Sequence, residues 1–233
     1  MCGRYTLSVP LSNLVDAFDV SPPEFDYSPR FNIAPTQDAP VVAQDKEGRR
    51  MGLLKWGLVP SWAKDPAMGS RMINARAETV AEKPAFRGAF RRRRCLVPAD
   101  GFFEWKKEAG EGGAKPRKTP HWIHRPGREP FAMAGLWERW AMEDGAPLYT
   151  FTILTTEAVA HIKEIHPRMP VVLPPGVFGL WLDPEAAPED LLPLLRPFEG
   201  AIQAHPVSAL VNSPRNDVPE CIQPVQGADP VVG

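Results

Sequence analysis

The sequence predicts an α+β fold: one domain over residues 1–226, a mostly antiparallel, barrel-like sheet with short flanking helices, and a C-terminal tail at 227–233. Two observations carry this. The 28 prolines and 18 glycines cut 233 residues into many short elements, as tight turns between strands do. Helical periods are interspersed among strand-like runs without alternating strictly with them, which argues against a parallel α/β sheet. A hydrophobic content of 43% is enough for a sizeable core.

In chain order, strands are expected at Gly3–Leu7, Ala39–Gln44, Gly52–Val59, Cys95–Ala99, Gly101–Lys107, His121–His124, Phe131–Trp137, Leu148–Leu154 and Ile202–Pro206. Helices are expected at Leu11–Phe18, Pro84–Phe90, Glu157–Ile165, Pro175–Leu182 and Pro188–Leu195. Leu11, Leu14, Val15 and Phe18 recur at helical spacing, so the first helix should face the core. The stretch Glu108–Thr119, rich in Gly and Lys, reads as a flexible hairpin loop.

Three cysteines at distant positions (Cys2, Cys95, Cys221) form neither a disulfide framework nor a zinc pattern, and no cofactor or metal is expected. The start lacks the charged and apolar regions of a signal peptide, and no apolar run approaches the ~18 residues of a membrane span. These features predict a monomer in the cytoplasm, associated with the nucleoid if it binds DNA. Net charge is −1, yet residues 1–118 hold 20 Lys and Arg against 14 Asp and Glu, while residues 119–233 hold 7 against 14. The basic first half can form a polyanion-binding face, unless ion pairs between the halves cancel it.

The residue with the richest chemistry is Cys2. If Met1 is removed, Cys2 carries a thiol and a free α-amine on adjacent carbons, with reference pKa values near ~8.5 and ~7.7–8.0. Such a 1,2-aminothiol condenses with an aldehyde to an imine and then closes a thiazolidine ring. It can also serve in acyl transfer, with its own amine as general base. A cysteine at this position can equally be an accident.

Other segments offer supporting chemistry. In Ile73–Thr79, Asn74 can orient a small nucleophile and Arg76 can hold phosphate, unless Arg76 simply pairs with Glu78. Between Arg87 and Arg94, five of eight residues are arginine, either a solvated face or a phosphate site. In Gly101–Lys106, Phe103 and Trp105 share one strand face while Phe102 and Glu104 share the other. A buried Glu104 would have a raised pKa suited to proton transfer; a half-exposed strand is the alternative. His166 and Arg168 sit in a proline-flanked turn, suited to proton shuttling and phosphate binding respectively. Trp62 is a core candidate first and a base-stacking platform second. The other histidines (His121, His124, His161, His205) read as structural or exposed.

Together these segments resemble the SOS-response-associated peptidase family over nearly the whole chain. The resemblance rests on Met1–Tyr5, Phe31–Thr36, Trp56–Trp62, Ile73–Thr79, Arg94–Trp105 and His166–Pro170, with no departure where it matters. It implies a β-rich single domain with Cys2, Asn74, Glu104 and His166 as the active site. It also implies that Arg4, Arg76, Arg168 and neighbouring basic residues hold single-stranded DNA, with Arg87 and Trp62 as further contacts. The family is known for shielding abasic sites, whose open-chain aldehyde is the electrophile a 1,2-aminothiol takes. The implied activities are a thiazolidine crosslink, weak abasic-site lysis and removal of Met1. Two other classes remain open: a class II glutamine amidotransferase, which also starts Met-Cys-Gly but carries downstream segments absent here, and a non-covalent DNA reader.

Overall fold

The computed structural model describes residues 2–109, 116–142, 145–225, 227 and 231–232. Two sheets build the domain. One runs β14 (Val231–Val232), β13 (Gln203–Pro206), β8 (Arg117–His124), β7 (Gly101–Glu108), β1 (Tyr5–Leu7) and β2 (Arg30–Ile33). The other includes β10 (Pro147–Glu157), β4 (Gly48–Trp56), β3 (Asp38–Asp45), β6 (Arg94–Ala99) and β9 (Phe131–Ala141), and β9 pairs back onto β10 to close a five-stranded barrel. Short strands β11 (Arg168–Pro170), β5 (Asn74–Arg76) and β12 (Val172–Leu173) extend it. Pairing is antiparallel except where β10 meets β4 and β5. The α+β, barrel-like expectation holds.

One large apolar core joins the sheets, and Tyr5 of β1 meets Trp56 of β4 edge-on at 5.2 Å. A smaller core lies on the far side of the first sheet, where Phe103 and Trp122 pack beneath Val207, Val211, Cys221 and Ile222. Strand alternation explains this division: Phe102 enters the large core and Phe103 the small one. Helix α1 (Leu11–Phe18) has its expected bounds and buries Leu14 and Phe18.

Several boundaries differ from those expected. β4 begins at Gly48, earlier than expected, and stops at Trp56, because Gly57 adopts a φ of 128°. The hairpin reading of Glu108–Thr119 is too wide, since Glu108 pairs with Arg117 and the strands run on; residues 110–115 lie outside the described residues. The expected helix at Glu157 starts later, as α3 (Ala160–Lys163), because β10 continues through Glu157. The basic helix α2 covers Arg87–Arg92, and α4 (Phe178–Leu182) and α5 (Pro188–Leu191) each adjoin a 3-10 turn. In the expected tail, Val231–Val232 pairs with β13, while 228–230 and 233 lie outside the described residues. No helix among the described residues is long and apolar enough to cross a membrane.

Gly57 permits the chain crossing that carries Trp62 outward. A Cβ there would lie 2.6 Å from the Gly69 carbonyl oxygen, in a backbone conformation that L residues rarely adopt. Gly57→Ala is expected to cost ~2–4 kcal/mol, from strain and overpacking together. A urea melt with an unchanged midpoint would refute this.

Candidate active site

Four residues, contributed by four separate stretches of chain, converge beside β7. Cys2 precedes β1 and is fully buried, its Sγ 3.7 Å from the Arg4 carbonyl oxygen. That carbonyl also accepts from the Phe103 backbone N–H at 3.0 Å, which locks the Cys2 segment to β7 next to Glu104. Asn74 opens β5 and donates from Nδ2 to the Cys2 carbonyl at 2.7 Å. Its Oδ1 is buried and accepts nothing from the described residues.

Glu104 is 3% exposed, so the half-exposed alternative fails. Its Oε1 lies 3.7 Å from His166 Nδ1. His166 follows α3, and its Nδ1 lies 3.1 Å from the Arg168 backbone N–H, which donates to it.

The electrostatics follow from burial. Desolvation raises the Glu104 carboxyl from 4.5 to about 7. Burial first, and the Glu104 charge second, push the Cys2 thiol well above the ordinary thiol range. Burial lowers His166, opposed by the contact of its Nδ1 with the Arg168 carbonyl oxygen at 3.0 Å. At neutral pH the site therefore holds a neutral thiol, a neutral imidazole and a carboxyl present in both protonation states. That inventory suits proton transfer to and from a nucleophile activated only on reaction.

The expected phosphate contacts divide into exposed and committed side chains. Trp62 is 58% exposed on the rim of an open cleft of about 560 Å³ with Lys64 and Arg71. Arg76, two residues past Asn74, and Arg87, at the start of α2, are exposed. The Arg76–Glu78 pair considered from sequence is replaced by a two-pronged contact from Arg168 to Glu78, at 2.5 and 3.0 Å. Arg168 also donates to the Thr155 carbonyl at 2.6 Å, so its guanidinium is structurally engaged. The Arg4 guanidinium donates to Asn32 Oδ1 at 2.9 Å and to the Val211 carbonyl at 2.8 Å. The arginine run also divides: Arg91 and Arg92 are exposed, Arg93 pairs with Glu138, and Arg94 is buried and donates to the Phe90 and Trp181 carbonyls.

His121, read from the sequence as structural or exposed, is held by its ring nitrogen at the Thr119 carbonyl oxygen, 3.0 Å away. It is buried and sits directly across from Glu104 in the β7–β8 register. Burial lowers its pKa. Its signal was available in the alternation of the two strands, once their hairpin register is known.

A family model described as SOS response associated peptidase matches residues 1–214. The chain is 43% identical over 226 residues to the abasic site processing protein YoaM of Bacillus subtilis, covering 95% of this chain and 97% of the relative. It is 36% identical to the abasic site processing protein HMCES of Gallus gallus, over 86% of this chain and 67% of that protein. Among solved structures, a crystal structure of a Bacteroides thetaiotaomicron protein is similar at a TM-score of 0.83 and 26% identity, covering 96% of this chain and all of that one.

Proposed function

The chain belongs to the SOS response associated peptidase family, and from that premise we propose that it captures abasic sites in single-stranded DNA as a covalent thiazolidine on Cys2. The observation that carries this reading is the convergence of Cys2, Asn74, Glu104 and His166 in one partly buried site. The names of the relatives, abasic site processing proteins, supply the substrate class.

The steps balance as follows. Once Met1 is removed, the Cys2 α-amine adds to C1′ of the open-chain sugar, and its proton passes to the Glu104 carboxylate. Glu104 returns that proton to the resulting alkoxide, then relays the second amine proton to the hydroxyl so formed, so that water leaves and a neutral imine remains. The Cys2 thiol then adds across the C=N bond, its sulfur to carbon and its proton to nitrogen. Asn74 holds the Cys2 carbonyl through this sequence, and His166 assists proton transfer at the sugar ring oxygen. An imine that escapes ring closure can undergo β-elimination, which accounts for a weak lyase activity. Hydrolysis of the Met1–Cys2 bond at the same site would expose the amine.

The test is intact mass spectrometry after incubation with single-stranded DNA bearing one abasic site. The expected product is protein plus oligonucleotide minus one water. A non-covalent reader gives no adduct, and an amidotransferase gives ammonia from glutamine instead.

DNA binding should rest on the exposed side chains. Arg76→Ala should reduce the salt dependence of binding by ~0.7 in log–log slope, the share of one phosphate contact on a single strand. Trp62→Ala should cost ~1–3 kcal/mol with the salt slope unchanged, as loss of base stacking does. Fluorescence anisotropy titrations between low and moderate salt read both. Equal slopes for wild type and Arg76→Ala would remove Arg76 from the interface.

A further inference from the structure

We propose that Arg4, Asn32 and Asp217 are positioning residues that seat Cys2 by tying the start of β1 to a C-terminal strap, residues 207–223; this rests on the crosslinking role of Cys2. The strap crosses the outer face of the first sheet and buries Val211, Cys221 and Ile222 against Phe103 and Trp122. Asn32 is its hub. Fully buried, it donates from Nδ2 to the carbonyls of Val211, Ser213 and Asn216 at 3.2, 3.0 and 2.7 Å, while its Oδ1 accepts from Arg4. Arg4 reaches the strap itself twice, at the Val211 and Asn212 carbonyls. Asp217 reaches back from the strap and accepts from the backbone N–H groups of Phe31 and Asn32, at 2.5 and 2.9 Å. It also pairs with Arg30.

The consequence for the site is direct. The Arg4 backbone carbonyl is the acceptor for the Cys2 thiol and for the Phe103 N–H. Holding the Arg4 side chain therefore holds the nucleophile's segment and the β7 residue that precedes Glu104. A guanidinium serving three carbonyl-type acceptors in a fixed fork cannot be replaced by an ammonium, whereas a lone phosphate contact often can.

The experiment uses the full chain with Arg4→Lys and Asn32→Asp. Affinity is read on single-stranded DNA containing a tetrahydrofuran abasic analogue, which cannot crosslink. The crosslinking rate is read at saturating natural abasic DNA. Both variants are expected to crosslink ~10²-fold more slowly while affinity stays within ~2-fold, the mark of an effect on the reacting geometry and not on binding. A wild-type rate in Arg4→Lys, or a loss confined to affinity, overturns the proposal and makes Arg4 a phosphate contact. A DNA-free arm follows alkylation of Cys2 by iodoacetamide, located by peptide mass. It should be ~10-fold faster in both variants, because loosening the segment exposes a thiol now shielded from water. Unchanged alkylation also overturns the proposal. If Asn32→Asp does not fold, Trp105→Phe, which removes the indole bond to Asn212 Oδ1 together with part of a ring packed against the smaller core, should shift alkylation in the same direction, and no shift counts against it. Wild type that forms no adduct refutes the proposed function instead, and the alkylation arm still decides the role of the strap.

Discussion

Cys2→Ala abolishes the heat-stable DNA adduct, the largest effect expected of any single substitution. The reason lies in the division of labour within one residue. The α-amine makes the imine and the thiol traps it, so alanine at position 2 leaves the first step and deletes the second. The imine remains reversible and open to elimination, so the variant should nick abasic DNA while accumulating no stable product. Borohydride reduction should still trap the imine as a secondary amine. The packing cost is small, since a thiol and a methyl differ by little more than one buried atom. The measurement is a denaturing gel after heating, with and without borohydride. A heat-stable band from Cys2→Ala without borohydride would rule out the thiazolidine. An uncleavable N-terminal tag should remove both bands, because it removes the amine.

Glu104→Gln should slow crosslinking by ~10²–10⁴-fold, the usual span for loss of a general acid–base group. The amide keeps the shape and a hydrogen-bonding oxygen but exchanges no proton. With the carboxyl at about 7, the wild-type rate should rise as pH climbs through neutrality and the carboxylate form fills. The variant should lack that inflection. Stability moves the opposite way. The folded pKa is raised above the ordinary carboxyl value of 4.5, so the protonated group favours the folded state. That contribution is complete below pH ~4.5 and is lost as pH rises through ~7, a swing of up to ~3 kcal/mol at ~1.4 kcal/mol per pKa unit. Glu104→Gln carries no such charge, so relative to wild type it should gain thermal stability between pH 5 and pH 8. Equal rates across pH 5–9 would take Glu104 out of the mechanism, and a parallel loss of DNA affinity would make its role structural.

Much of this site was legible in the chain. The alternation Phe102–Glu104–Trp105 on a strand left Glu104 either buried among aromatics or half-exposed, and the structure takes the buried alternative. The helix Leu11–Phe18 was legible because its spacing is local. The partners of Arg4 and Arg168 were not. Arg168 finds Glu78 across 90 residues, and Arg4 finds Val211 across 207. No window of sequence distinguishes a guanidinium held by distant carbonyls from one waiting for phosphate. The strands β5 and β11 escaped notice for a related reason. At three residues each they show no periodicity, and only their partner makes them strands.

That partner is β10, which pairs with β4, β5, β9 and β11. Asn74 is paired with Ile153 of β10, and His166 lies two residues before Arg168, which is paired with Glu157 of the same strand. Two of the four site residues thus hang from the strand that closes the barrel. Its central amides should exchange with deuterium only when the whole domain opens, which ties the footing of Asn74 and His166 to the stability of the barrel. Heat or denaturant should consequently end crosslinking and unfold the sheet in one cooperative transition, with no inactive but folded species between them.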